Sequence, residues 1–489
     1  MTDLNIHQPS RSSHQLLLRA RVVLPVARPP IENGAVLIKG NQVVSVGRWP
    51  DFSSVTAEGA DLGEVVLMPG LVNAHCHLDY TNMAGQFPPP KYFTDWIKSI
   101  TATKADWTYS DFAQSWLSGA GMLVRTGTTM VADIENVPLL LPEVWEATPL
   151  RVFSFLEMTG IKSRRQPRSI LHDAEQWIEK LSMARLGKLE ARRTDDKLEA
   201  RPTADRLEPC PTFGSRCCAG LSPHAPYSTL PELLRLTAAT ARRRGWRLCT
   251  HLAESAQEFE MFSRGRGEMH EWLRRSEREM SDCGLGSPVE HLERQGMLGK
   301  NLLAVHVNYL GKKDAALLAK RKVSVVHCPR SHVYFRHDPF PLRKLLRAGI
   351  NICLGTDSLA SVYKRRRETV ELNMFEEMQA FAAVHPWLSA KAILHSATVN
   401  GAKALGMTGR IGQFSKGAFA DAIALPFQGK TSEVYEAVLH HSGNVSSSMI
   451  DGRWTMAPAG ARTLVRSKAQ TVHSSEQSEA ARSFNIAAD

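Results

Sequence analysis

Two histidines one residue apart, His75 and His77, end the apolar run Pro69-Gly70-Leu71-Val72-Asn73-Ala74-His75-Cys76-His77. On a strand, side chains alternate faces, so the two imidazoles point one way and Cys76 the other. That is a geometry for gripping a metal ion. Partner groups end further short apolar runs: His251 after Arg247–Thr250, His306 after Leu302–Val305, His327 after Val323–Val326, and Asp357 after Ile350–Thr356. A single strand-end histidine is ordinarily a hydrogen-bonded core residue. Several in similar positions point to one shared chemical centre.

The elements that must carry these groups follow an alternating pattern. Strand candidates fall at 72–77, 128–134, 151–157, 219–224, 248–251, 302–307, 323–328 and 351–357, with helical segments between them. Helix-start signals stand at Ser110-Asp111, Thr229–Glu232 and Pro341-Leu342. Eight strands, each followed by a helical segment, make a closed parallel barrel whose reactive groups collect at the C-terminal strand ends. Before the barrel, 16–67 is strand-like with turns at Lys39-Gly40-Asn41; after it, 412–425 and 449–455 return to β character. Neither β piece has enough strands to bury a face alone, so the two should complete one another. The expected fold is α/β: a TIM-like (β/α)8 barrel over 69–409, inserted in a small composite β-sandwich domain built from 1–68 and 410–460.

Two stretches resist this pattern. Within the long separation of the third and fourth strands, Lys188-Leu189-Glu190-Ala191-Arg192 recurs as Lys197-Leu198-Glu199-Ala200-Arg201 and is echoed at Arg206-Leu207-Glu208. Its charge and shortage of apolar residues predict a low-complexity, solvent-exposed insertion over about 185–215. The Ser-, Ala- and charge-rich stretch 463–489 reads as a disordered tail.

A chain of 489 residues can bury a full barrel without disulfide staples. The eight cysteines show no Cys-x-x-Cys spacing, and several lie inside apolar runs, which suits free thiols in a reducing compartment. With a polar start at Met1–Ser13 and no apolar run of membrane-spanning length, a cytoplasmic location without membrane association is expected. The net charge of +11 raises nucleic-acid binding as an alternative. Much of the excess is local: between Gly311 and Ile350 ten basic residues face two acidic ones, a difference of +8. No arginine-rich arm with interleaved aromatics accompanies them, so a solvated outer face is the simpler use.

With these residues in place, the chain resembles the amidohydrolase superfamily, in the branch of chlorohydrolases and of adenosylhomocysteine-type and aminodeoxyfutalosine-type deaminases. The resemblance rests on Pro69–His77, Ser222-Pro223-His224-Ala225-Pro226-Tyr227, Thr250-His251-Leu252-Ala253-Glu254, Val305-His306-Val307, His327-Cys328-Pro329-Arg330-Ser331-His332, Leu354-Gly355-Thr356-Asp357-Ser358 and Gly409–Asp421. It implies that His75, His77, His251 and Asp357 hold one divalent metal, zinc or, as in some relatives, iron. It further implies that Glu254 moves protons between the water and the departing nitrogen, that His306 orients and polarises the reacting centre, and that Asp357 takes the water's first proton. Two-metal relatives carry a lysine on the fourth strand; Ala219–His224 has none, which implies a mononuclear site with His224 as a substrate contact.

Departures from the family pattern fall where substrate would sit: Asp79 in place of a glutamate, and Arg330 and His332 after the seventh strand. Arg330 could meet a substrate carboxylate or phosphate, or pair with a protein carboxylate such as Asp79. The resulting expectation is a metal-dependent hydrolase of non-peptide carbon–nitrogen bonds, deaminating an aminated purine-like ring or nucleoside, aminodeoxyfutalosine being one candidate. Its small-molecule substrate would be met by a monomer or a homodimer. The alternatives are a chlorohydrolase or alkylamine hydrolase of a triazine-like ring, and a non-catalytic nucleic-acid-binding or scaffold protein.

Overall fold

The computed structural model describes residues 15–161, 166–193 and 216–465. Part of the anticipated insertion, 194–215, and the tail past Val465 lie outside the described residues.

Eight parallel strands form the barrel: β6 (Leu71–Cys76), β7 (Thr128–Glu135), β8 (Arg151–Met158), β9 (Cys217–Pro223), β10 (Leu248–Leu252), β11 (Leu302–His306), β12 (Ser324–His327) and β13 (Asn351–Leu354). They pair in chain order, as expected of strands joined by helical crossovers. β7 is buried at every position, with Met130, Val131, Ala132 and Ile134 apolar and Asp133 and Glu135 carried toward its C-terminal end. Every strand contributes to one interior cluster that includes Met130, Ala132, Phe153, Phe155, Leu303 and Val305, with Leu405, Ile411 and Phe419 packed into it. The helices cover the outside. In Tyr109–Arg125, Thr108 and Asp111 make a capping box at the start, and Phe112, Trp116, Ala120 and Leu123 line the buried face at helical spacing.

The last strand returns to the first. Cys76 and Asp357 form a parallel bridge, the His77 N–H donates to the Asp357 carbonyl at 3.0 Å, and the Asp357 N–H donates to the His75 carbonyl at 3.1 Å. Just before this point Gly355 lies so close to β6 that an added Cβ would stand 2.7 Å from the His75 carbonyl oxygen. Asn73 ties the same seam, donating from Nδ2 to Thr356 Oγ1 at 2.8 Å and accepting the Thr356 N–H at 3.1 Å.

The chain's two ends build a nine-stranded mixed sheet. From the N-terminal side come β1 (Gln15–Val23), β2 (Ile31–Lys39), β3 (Gln42–Arg48), β4 (Glu58–Asp61) and β5 (Val65–Pro69). From the C-terminal side come β14 (Ala422–Pro426), β15 (Ser447–Ile450), β16 (Arg453–Met456) and β17 (Arg462–Val465). One edge of β1 holds β2; the other holds β4 at Leu16–Arg19 and β5 at Val22–Val23, so the sheet forks. The fork encloses Leu18, Val36, Leu67, Ala422 and Met449 in one apolar cluster. β14 pairs with β5 and β17 with β4, so the C-terminal strands complete the N-terminal ones. β17 corrects the sequence reading at 463–465, which had been assigned to the tail: the free edge of β4 recruits those residues into the sheet. The helix Pro167–Arg193 likewise runs on into the stretch read as insertion.

Barrel and sheet are locked by a buried ion cluster. Arg151, at the start of β8, donates from Nε to Asp421 Oδ2 at 2.5 Å and from Nη2 to Asp451 Oδ1 at 2.8 Å, with its guanidinium 3.8 Å from the Phe419 ring centroid. Replacing Arg151 by Met leaves Asp421 buried without its partner and should cost about 3–5 kcal/mol. Urea unfolding of Arg151→Met checks this, with partial recovery expected in the double variant that also carries Asp421→Asn.

Candidate metal centre and active site

At the mouth of the barrel, side chains from its first, fifth, sixth and last strands converge. His77 Nε2 lies 3.3 Å from His251 Nε2, His75 Nε2 lies 3.5 Å from Asp357 Oδ1, and His77 Nε2 lies 3.8 Å from the same oxygen. Two overlapping sets, His75–His77–His251 and His75–His306–Asp357, each bring their donor atoms within 4.8 Å of one another. The four residues expected to hold a metal, His75, His77, His251 and Asp357, are thus brought together.

The donor set fits a divalent cation. His251 Nδ1 faces the His224 carbonyl at 2.9 Å, which fixes its proton on Nδ1 and turns a lone pair on Nε2 toward His77. Both ring nitrogens of His75, Nδ1 of His77 and Nε2 of His306 are buried without a hydrogen-bond partner. Around a tetrahedral zinc, ligand nitrogens about 2.0–2.1 Å from the ion stand about 3.3 Å apart, which matches the His77–His251 spacing. Asp357 Oδ2 accepts from Ser331 Oγ at 2.6 Å and Ser361 Oγ at 3.1 Å, leaving Oδ1 for the centre.

Protonation states suit the same reading. Burial, reinforced by the neighbouring histidines, pushes His77 well down and His251 to about 3, so both imidazoles are neutral. Burial would raise the Asp357 carboxyl, but the surrounding imidazoles of His75, 3.5 Å away, His306 and His77 hold it well below the usual range. Burial and the charges of Asp357 and Glu258 push Glu254 well above its ordinary value, as a proton carrier requires. Glu254 Oε1 sits 3.4 Å from His306 Nε2.

The backbone that presents these groups is bent into an uncommon shape. Ala253, His306, Val307 and Asp357 all have φ between 50° and 72°, left-handed conformations that cost energy away from glycine. Local partners hold them. Glu258 accepts the N–H of Ala253 at 3.0 Å and of Glu254 at 2.9 Å, and Asn308 Nδ2 donates to the Glu254 carbonyl at 2.9 Å. Sequence reasoning passed over Glu258, Asn308, Ser331 and Ser361. Only Glu258 left a signal, the Ser255-x-x-Glu258 pattern that opens the helix Ala256–Arg264.

The expected substrate contacts divide. His224 stands beside the centre, its ring 4.8 Å from that of His251, with Nδ1 against Ser228 Oγ and Nε2 3.8 Å from Glu157 Oε1. His332 Nδ1 lies 3.1 Å from Asn308 Oδ1, one link away from the Glu254 carbonyl. Asp79 is fully buried, accepts from Asn136 Nδ2, and is raised by burial to about 7. Arg330 requires a correction. Its guanidinium pairs with Glu376 Oε2 at 2.8 Å and donates to the Glu371 carbonyl at 2.9 Å. The carboxylates it meets are Glu376 and, at 3.8 Å, Glu377, because the short helix Pro329–Tyr334 packs that side chain against the helix Met374–Val384, so Asp79 is not its partner.

A barrel with this mouth, inserted in a composite sheet, defines a class of hydrolase. The amidohydrolase family profile matches residues 66–455, and the chain belongs to that family. It is 30% identical over 448 residues to a 5-methylthioadenosine/S-adenosylhomocysteine deaminase of Syntrophobacter fumaroxidans, covering 86% of this chain and 88% of the relative. Among solved structures it resembles a zinc-bound adenosine deaminase of Xanthomonas campestris (TM-score 0.71, 23% identity, 91% of this chain and 94% of that one). It also resembles the aminofutalosine deaminase of Helicobacter pylori (TM-score 0.74, 20% identity, 90% of this chain and 100% of that one).

Two outcomes follow from the geometry. Gly355→Ala forces a methyl group against the His75 backbone and should destabilise the chain by about 1–3 kcal/mol, read as a lowered unfolding midpoint. For Glu258, burial raises the carboxyl from 4.5 to about 7 in the folded chain. The folded state therefore binds more protons between those values, and stability falls as pH rises through that window. Glu258→Gln should flatten the slope of unfolding free energy across it.

Proposed function

We propose that this chain is a hydrolytic deaminase of an aminated purine nucleoside, working with a single zinc ion. What carries the reading is the convergence of His75, His77, His251 and Asp357 with unpartnered buried nitrogens, and with Glu254 and His306 beside them. The names of the relatives support the nucleoside: methylthioadenosine, adenosylhomocysteine and adenosine all present an amino group on a purine ring.

When bound, the divalent metal supplies a water that is deprotonated near neutral pH. The chain's own residues do the rest. Asp357, its other oxygen fixed by Ser331 and Ser361, accepts the water's first proton. Glu254 enters protonated and gives its proton to the ring nitrogen next to the attacked carbon; it then takes the proton of the added hydroxyl as the carbonyl forms, passes it to the leaving amine so that ammonia departs, and regains a proton from Asp357. His306 orients the developing oxyanion, and His224 contacts the substrate from the neighbouring strand end. The enclosed mouth excludes bulk water, which strengthens each of these interactions.

The test is metal analysis of the purified protein followed by an ammonia-release assay with adenosine, 5′-deoxyadenosine, methylthioadenosine, adenosylhomocysteine and an aminated triazine. About one zinc per chain and turnover of one or more nucleosides are expected. Glu254→Gln should lower turnover about 10²- to 10⁴-fold with metal content unchanged, whereas His251→Ala should lose the metal. A chain that retains no metal, or that turns over only the triazine, sinks the reading.

A further inference from the structure

The basic excess between Gly311 and Ile350 takes no part in the catalytic centre, and two subsets of it differ in their surroundings. Some of it is neutralised: Arg321 pairs with Glu293 at 2.6 Å and Arg330 with Glu376 at 2.8 Å. Arg343, Lys344 and Arg347 form no ion pair among the described residues, and all three line one cavity of about 480 Å³ on the flank of the barrel. Lys344 Nζ has only a neutral partner, the Gly311 carbonyl at 2.9 Å. His385 and Trp387 complete the cavity with Phe340, and no carboxylate lines it.

We propose that this flank cavity is a binding site for a nucleoside monophosphate, separate from the catalytic mouth. Three basic side chains without a carboxylate partner among the described residues line it, which suits a phosphate monoester carrying about −1.5 to −2 charge better than a single carboxylate. The planar half of the ligand has its own partners. Trp387 is 42% exposed, with the Arg343 guanidinium 4.1 Å from its ring centroid, an arrangement that extends readily to a stacked base. Phe340, itself buried, contributes an apolar edge to the lining and is held by stacking on buried His327 with centroids 3.9 Å apart and planes 13° apart. The volume lies within the range usual for small-ligand sites, roughly 300–1,000 Å³. Because the cations gather in one concavity, a compact ligand fits them better than an extended polyanion.

Calorimetric titration of the full, metal-loaded chain with AMP, inorganic phosphate and a short single-stranded RNA tests the site. AMP should bind about tenfold more tightly than phosphate. The double variant Arg343→Ala/Arg347→Ala should lose about tenfold or more of the AMP affinity, with nucleoside turnover unchanged. Trp387→Ala should weaken AMP while sparing phosphate. These side chains lie on the outer flank, and an unchanged unfolding midpoint confirms that the variants remain folded. The proposal is overturned if AMP does not bind, if its affinity survives the double variant, which would place it elsewhere, or if phosphate binds as tightly as AMP. RNA that binds more tightly than AMP and is released by the double variant overturns it too, since the patch would then be a nucleic-acid surface.

Discussion

Everything at the reactive centre depends on the closure of the barrel between its first and last strands. The hydrogen bonds that close it run between the backbones of His75, His77 and Asp357, whose side chains are three of the four proposed ligands. Fold and site are therefore one event. Until β13 docks on β6, Asp357 has no reason to face the two histidines. Once it docks, their separations are set by strand spacing rather than by flexible loops. Gly355 permits the close approach, and Asn73 fixes its register.

The same arrangement stores unfavourable terms. Buried imidazoles, a carboxylate and a glutamate whose carboxyl is pushed well up are held on backbone that bends into left-handed conformations at Ala253, His306, Val307 and Asp357. A scaffold can tolerate this only if other parts supply the stability. The large apolar clusters inside and outside the barrel, and the Arg151 ion cluster at its base, are placed to do so. Of the strained residues, Ala253 is tied by Glu258, and Asp357 by Ser331 and Ser361.

What was legible in the sequence was what repeats locally. Strand periodicity and the position of polar groups at strand ends located all eight barrel strands, and the period of two put His75 and His77 on one side. Less legible was where long side chains turn after the chain has folded. Arg330 stands one residue before Ser331, which does reach Asp357, yet Arg330 points to Glu376 on a helix more than forty positions away. Nothing in the local pattern separates those two fates. The pairing of β17 with β4 was hidden for the same reason: Arg462–Val465 is too short and too polar to read as a strand until an unpaired edge is beside it.

The forked sheet gives the chain a direction in time. During synthesis β1 to β5 leave the ribosome first, yet β5 waits for β14 and β4 waits for β17, partners made hundreds of residues later. The intervening barrel can assemble while those edges stay open, each able to template the wrong neighbour. The sheet is thus sealed only once its later strands have been made.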